Sequence, residues 1–159
     1  MNSIAIFKLV ISIIICQLAG IIGAIFTNKS IPTWYASLKK PAFNPPAWLF
    51  GPVWTALFLL MGIALFLIWQ KGINFEGVKR ALIVFSAQLI FNILWSILFF
   101  GLRSPLAAFI AIIILWILIL LTIVLFYPIA KTAGLLLLPY LLWVSFASIL
   151  NFSLWRLNG

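Results

Sequence analysis

Three groups of polar and aromatic residues recur at helical spacing within long apolar segments, and they are the strongest candidates for chemistry in the chain. Gln88, Asn92 and Trp95 follow the i, i+4, i+7 spacing of one helix face. The other two groups are Trp54, Phe58 and Met61, and Tyr140, Trp143, Ala147 and Asn151. Aromatic walls with a few amides to orient a ligand are typical of small-molecule pockets. We therefore predict one pocket enclosed by three helices.

The two amides of the first group allow a second interpretation. Asn and Gln in membrane helices often form hydrogen bonds between helices, each contributing about 0.6 kcal/mol on average. Trp and Tyr also gather where a membrane meets water, without binding a ligand. Spacing alone therefore leaves Gln88 and Asn92 either as ligand contacts or as links between helices.

The titratable residues argue against acid–base and metal chemistry. The chain has ten Lys and Arg residues, a single acidic residue (Glu76), a single cysteine (Cys16) and no His. Acid–base catalysis usually requires a tuned carboxylate or imidazole, and metal sites require clustered ligands. We therefore expect no metal, no resident cofactor and a binding protein rather than an acid–base enzyme. Because the basic residues stand singly between apolar segments, we expect membrane lipids or an anionic ligand as partners, and no nucleic acid.

Membrane helices are the elements that must position these side chains. Of 159 residues, 67% are hydrophobic and 7% are charged, whereas soluble domains carry about 25% charged residues. A bilayer core requires about 20 apolar residues per helix. We predict an all-α, integral, multi-pass membrane protein, with residues 1–159 forming a single domain. Its five-transmembrane-helix bundle is expected to span residues 4–26, 46–69, 79–101, 105–128 and 133–155.

Charge does not orient this bundle. With five helices, the Lys and Arg residues divide five against five between the two sides of the membrane, so the positive-inside rule gives no direction. The identity of the membrane is likewise not readable from the sequence.

Residues 27–45 are predicted to form the longest loop, which ends in a proline-rich stretch, "KPAFNPPAW". We expect Asn44 to cap the second helix, with Pro45 and Pro46 in its first turn. Lys39 and Lys40 either bind headgroup phosphates or steer an anionic ligand. In the fifth span, Pro139 is expected to kink or widen the helix.

Three longer segments, each of which contains at least one residue of one of the three groups, are rich in aromatic, proline and amide residues. They read "WYASLKKPAFNPPAWLFGPVW", "AQLIFNILWSILFFG" and "PYLLWVSFASILNFSLWRLN". In this order they resemble the translocator protein family, also called tryptophan-rich sensory proteins or peripheral-type benzodiazepine receptors. The resemblance covers nearly the whole chain. It implies a five-helix bundle, commonly a homodimer, whose pocket is covered by the loop between the first two helices.

The resemblance also implies ligands and the residues that contact them. Family members bind porphyrins such as protoporphyrin IX, hydrophobic drugs of the isoquinoline carboxamide and benzodiazepine classes, and in animals cholesterol. By motif position, the implied contacts are Tyr35, Pro45, Trp54, Phe58, Gln88, Asn92, Trp143 and Ala147. The helical spacing adds Trp95, Tyr140 and Asn151. The animal cholesterol motif needs a basic residue soon after its tyrosine, and it is absent because Arg156 is the first one after Tyr140.

The leading hypothesis is a membrane binding protein or sensor for porphyrin-type tetrapyrroles and hydrophobic drug-like ligands. Some bacterial relatives are credited with light-dependent porphyrin degradation, for which Trp54 and Trp143 would be the photochemical residues by position. Two alternatives stay open at this point. One is an uncoupled transporter of tetrapyrroles, lipids or sterols, and the other is a membrane scaffold regulated by a ligand.

Overall fold

The architecture is a bundle of membrane-spanning helices. In the computed structural model, which describes residues 3–159, five helical segments are long and apolar enough to cross a membrane. They are Ser3–Tyr35, Ala47–Gln70, Val78–Gly101, Pro105–Ile129 and Lys131–Asn158. No strand occurs among the described residues. The predicted all-α bundle of five spans is confirmed.

Six α-helices build these spans, because the fifth span consists of two. In chain order they are α1 (Ser3–Ser30), α2 (Phe50–Gln70), α3 (Val78–Ser96), α4 (Pro105–Ile129), α5 (Lys131–Leu136) and α6 (Leu138–Asn158). A π-helical turn continues α1 over Ile31–Tyr35, and another continues α3 over Ile97–Gly101. A 3₁₀ turn, Ala47–Leu49, leads into α2.

The first span is longer than predicted, and the loop after it is correspondingly shorter. Residues 27–35 were expected in the loop, but they are helical, so the non-helical connection covers only residues 38–46. Pro32 lacks the N–H group that would continue the α-helical ladder. The chain stays helical there because it widens to a π-turn, and the Thr33 hydroxyl donates to the carbonyls of Lys29 and Ser30 at 3.0 and 3.3 Å.

Asn44 does not cap the second helix, so that prediction is wrong. Its side chain bonds within the loop instead: Oδ1 accepts from the Tyr35 hydroxyl at 2.6 Å, and Nδ2 donates to the Pro45 carbonyl at 3.0 Å. Pro46 has an extended backbone and precedes the 3₁₀ turn. Pro45 and Pro46 therefore stiffen the connection outside the helix rather than starting it.

The irregularity predicted at Pro139 is a break between two helices. α5 ends at Leu136 and α6 begins at Leu138, which places Pro139 in the first turn of α6. A proline is tolerated there because the first N–H groups of a helix have no intrahelical acceptor.

Helix packing leaves an interior space on one side of the bundle. α1 packs on α2 and α3, whereas α4 packs on α3, α5 and α6. The backbones of α2 and α3 approach α6 much less closely, and side chains bridge the gap. The three predicted groups of aromatic and polar residues meet in this space.

Candidate ligand-binding site

A buried tyrosine joins two of the predicted groups. The hydroxyl of Tyr140, whose side chain is 1% exposed, accepts from Asn92 Nδ2 at 2.8 Å and donates to Gln88 Oε1 at 3.0 Å. Helical spacing could not decide whether Gln88 and Asn92 contact a ligand or link helices. In the structure, both amides link α3 to α6. Gln88 Nε2 is buried without a hydrogen-bond partner, so this network still contains one unsatisfied donor.

A second polar link lies one to two turns further along α3 and about three turns further along α6. Trp95 Nε1 donates to Asn151 Oδ1 at 3.0 Å, and Asn151 Nδ2 donates to the carbonyl of Pro105 at 2.8 Å. Asn151 thus connects α6 to α3 and to the first residue of α4. These bonds fix the orientation of the Trp95 indole, which matters because this ring faces two cavities.

The larger cavity has a volume of about 390 Å³ and lies between α1, α2 and α3. Its size falls within the range of about 300–1,000 Å³ that is common for ligand pockets. Four predicted site residues line it, namely Trp54, Phe58, Asn92 and Trp95. Three of these are aromatic, so the inner wall of the cavity would favour a hydrophobic aromatic ligand.

A second, much smaller cavity of about 20 Å³ lies between α2, α3 and α6. The predicted site residues that line it are Tyr35, Trp54, Trp95, Trp143, Ala147 and Asn151. Trp54 and Trp95 line both cavities, and their ring centroids are 6.0 Å apart with planes tilted by 35°. Phe50 and Phe100 also line both cavities, so the two indoles form the wall between the cavities together with these phenyl rings. The single predicted pocket is divided in this structure.

Three predicted site residues line neither cavity: Pro45, Gln88 and Tyr140. Gln88 and Tyr140 lie behind the cavity wall, in the hydrogen-bonded link between α3 and α6. Pro45 lies in the connection, where its carbonyl accepts from Asn44. Their contribution to a ligand site would be to hold the wall and the connection in place.

Sequence reasoning missed the contribution of α1. The cavity-lining residues of this helix include Gln17, Gly20, Gly23 and Thr27. A Cβ atom at Gly20 would lie 2.6 Å from Cδ2 of Phe58, so glycine allows α1 to approach the cavity wall. A polar Gln17 within an apolar span was the available signal. From their spacing, the small residues Gly20 and Gly23 were interpreted as positions for close helix packing or a dimer seam.

Trp143 carries a second buried donor without an acceptor. Its Nε1 atom has no hydrogen-bond partner, and its ring meets Phe50 edge-on at 6.3 Å. An unsatisfied buried donor costs about 1–3 kcal/mol. The indole N–H is therefore available to a polar group that enters the smaller cavity.

The connection between α1 and α2 is tied to the bundle at several points. The side-chain amide of Asn158 accepts from the Lys39 N–H at 2.8 Å and donates to the Lys39 carbonyl at 2.9 Å. Lys40 Nζ donates to the carbonyls of Ala36 and Leu38, both at 3.0 Å, and lies 5.1 Å from the centroid of the Tyr35 ring. Lys40 thus stabilises the end of the first span, whereas the bonds of Lys39 to Asn158 involve only its backbone.

Comparison of the sequence with known proteins identifies the family of this chain. The TspO/MBR family model matches residues 12–156. The chain is 52% identical over 154 residues to the Tryptophan-rich protein TspO of Archaeoglobus fulgidus, covering 97% of this chain and 99% of that protein. It is 46% identical to the protein of the same name in Chlorobaculum tepidum, covering 96% and 97%. It is 34% identical to the human Translocator protein, covering 89% and 85%. This integral, multi-pass membrane protein belongs to the TspO/MBR family.

Proposed function

We propose that the protein binds flat, hydrophobic aromatic molecules of the porphyrin class, such as protoporphyrin IX, and drug-like molecules of similar character. One observation carries this proposal: two neighbouring indoles, Trp54 and Trp95, stand between two interior cavities. Indole faces favour offset stacking on other aromatic systems. A flat macrocycle would stack on this wall and displace one of the rings, which would join the two cavities.

Polar groups around the wall support a ligand with a carboxylate edge. Trp143 Nε1 is a buried donor without an acceptor beside the smaller cavity. Of the two loop cations, Lys39 uses its backbone to bond Asn158, whereas the Lys40 ammonium already donates to two carbonyls. We therefore assign Trp143 to the polar edge of the bound molecule, and Lys39 to attraction of its propionates.

The polar interior supports binding rather than acid–base catalysis. The groups that meet the cavities are indoles, phenyl rings, hydroxyls and amides, and none of these has a pKa suited to proton transfer near neutral pH. Light-dependent degradation would need no such group, because an excited porphyrin could accept an electron from an indole. Trp54 and Trp143 stay the candidates for this role.

The test of binding is a titration in the dark. Purified protein would be titrated with protoporphyrin IX while its tryptophan fluorescence is recorded, for the wild type, Trp143→Phe and Asn92→Ala. We expect saturable quenching in the wild type and weaker binding in both variants, because one loses the indole donor and the other releases Tyr140. Absence of saturable quenching in the wild type would refute the proposal.

A further inference from the structure

We propose that hydrophobic ligands reach the larger cavity sideways from the bilayer, through an opening between α1 and α2. This inference rests on the proposed function, since it names the route and the class of ligand. The ligands would be lipid-soluble amphiphiles that partition into the membrane before they bind. We name this opening the lateral mouth.

The lateral mouth is framed by one face of each helix. On α1, the cavity-lining residues Gln17, Ile21, Ala24 and Asn28 follow the spacing of a single face. On α2 and the turn before it, Trp48, Gly51 and Thr55 do the same. Several of these residues are also open to the outside, and Ile21 and Trp48 are 57% and 71% exposed. The same residues thus line the cavity and face outward, which is the property of an opening.

The position of these residues places the lateral mouth within the membrane. Gln17 lies near the middle of the Ser3–Tyr35 span, and its Nε2 atom donates to the Thr55 carbonyl at 3.1 Å. Trp48 lies at the start of the second span, where indoles commonly meet headgroups. The lateral mouth therefore extends from the membrane surface to about half its depth, and the Gln17–Thr55 bond closes its inner end.

Two cavity-lining glycines have different surroundings. A Cβ atom built at Gly51 meets no atom within 4 Å, whereas one at Gly20 would lie 2.6 Å from the Phe58 ring. Gly20 is thus required for close packing, but Gly51 borders open space. A large side chain at position 51 would occupy the lateral mouth without disturbing the backbone. The structure therefore offers a variant that blocks entry while leaving the fold intact.

The alternative route, through the connection between α1 and α2, is tied down. Entry there would require the breaking of the two bonds between Lys39 and Asn158, and of the Tyr35–Asn44 bond at 2.6 Å. Entry through the lateral mouth would pass beside the Gln17–Thr55 bond, which bounds only its inner end, and would not require this bond to break. At its inner end, the Gln17 amide would be the polar group that an entering amphiphile meets.

The first test needs no porphyrin. Ser96 lines the cavity and is 7% exposed, so a Ser96→Cys variant on a Cys16→Ala background reports access to the interior. In liposomes, we expect pyrene maleimide, which dissolves in the bilayer, to label this thiol faster than a charged trimethylammonium thiosulfonate. Adding Gly51→Trp should slow the pyrene reaction at least fivefold. Leu142→Trp, which adds an indole on an exposed position of α6, should leave it unchanged.

The second test follows ligand entry. Protoporphyrin IX preloaded in liposomes should associate at least fivefold more slowly with Gly51→Trp, but at the wild-type rate with Asn158→Ala, which frees the connection. Faster association of Asn158→Ala together with unchanged association of Gly51→Trp would overturn the lateral route. Unchanged labelling of Ser96→Cys by pyrene maleimide in the Gly51→Trp variant would overturn it as well. If labelling behaves as expected but porphyrin does not bind, the proposed function fails and the opening stands.

Discussion

Trp54 and Trp95 lie with their ring centroids 6.0 Å apart and separate two cavities in the interior of the bundle. Their surroundings differ in one respect. The Trp95 N–H is held by Asn151 at 3.0 Å, whereas Trp54 packs on Phe58 and Tyr140 through ring contacts at 5.7 and 6.2 Å. Because a hydrogen bond fixes only Trp95, Trp54 is the ring that we expect to move when a ligand joins the cavities.

Tyr140→Phe should destabilise the fold. The substitution leaves the Asn92 amide and the Gln88 carbonyl without their shared partner, and a loss of about 1–2 kcal/mol is expected from two bonds in a membrane interior. Thermal unfolding in detergent would measure this change. The matched control is Tyr127→Phe on α4, whose side chain is 45% exposed, and equal effects of the two substitutions would contradict the role of Tyr140.

Two indole substitutions should differ in their effect on stability. Trp143→Phe removes a buried donor that has no acceptor, so stability should stay equal or rise slightly. Trp116→Phe removes a bond of 2.8 Å from Nε1 to the Ser145 hydroxyl and should lower stability by about 1 kcal/mol. Thermal unfolding of both variants, measured side by side, would reveal the difference. If Trp143→Phe were destabilised, the Trp143 N–H would have a hydrogen-bond partner in the membrane.

Gly20→Ala should weaken ligand binding, whereas Gly51→Ala should not. The added methyl group at position 20 would meet the Phe58 ring at 2.6 Å and push it from the cavity wall, and such overpacking typically costs about 1–3 kcal/mol. At position 51 the methyl group meets nothing. Porphyrin affinity and unfolding temperature would be measured for both variants. Unchanged values for Gly20→Ala would contradict this prediction and show that α1 can shift away from Phe58 at little cost.

Illumination tests the photochemical hypothesis separately from binding. If Trp54 or Trp143 donates an electron to excited porphyrin, replacement of that indole by Phe should slow the light-dependent loss of porphyrin absorbance more than it weakens binding in the dark. The ratio of the two effects is the quantity to report. Equal loss of bleaching and binding would argue that the indole only holds the ligand.

Hydropathy was sufficient to predict the spans, but local chemistry decided their ends. The first span was predicted to end at residue 26, but it continues to Tyr35 past Pro32, where the Thr33 hydroxyl donates to nearby carbonyls. Asn44 had the residue type of a cap, but the Tyr35 hydroxyl competes for its oxygen. Where a helix ends depends on which hydrogen-bond partners lie nearby in the folded protein. The sequence alone does not show these partners.

The candidate site was predictable as far as helical spacing reaches. Spacing placed Gln88, Asn92 and Trp95 on one face of α3, and the structure brings this face to Tyr140 and Asn151 on α6. Two features depended on packing between helices, so spacing within one helix did not predict them. These are the share of α1 in the larger cavity and the division of the interior into two cavities.

The most direct test of the central claim is the affinity for protoporphyrin IX of Trp54→Leu compared with Trp116→Leu, measured in the dark by the shift of the porphyrin absorbance band. Both variants lose an indole, but only Trp54 lines the cavities. We expect Trp54→Leu to raise the Kd about tenfold, equivalent to about 1.4 kcal/mol, and Trp116→Leu to change it less than about twofold. Equal Kd values for the two variants would contradict a binding site at the Trp54–Trp95 wall.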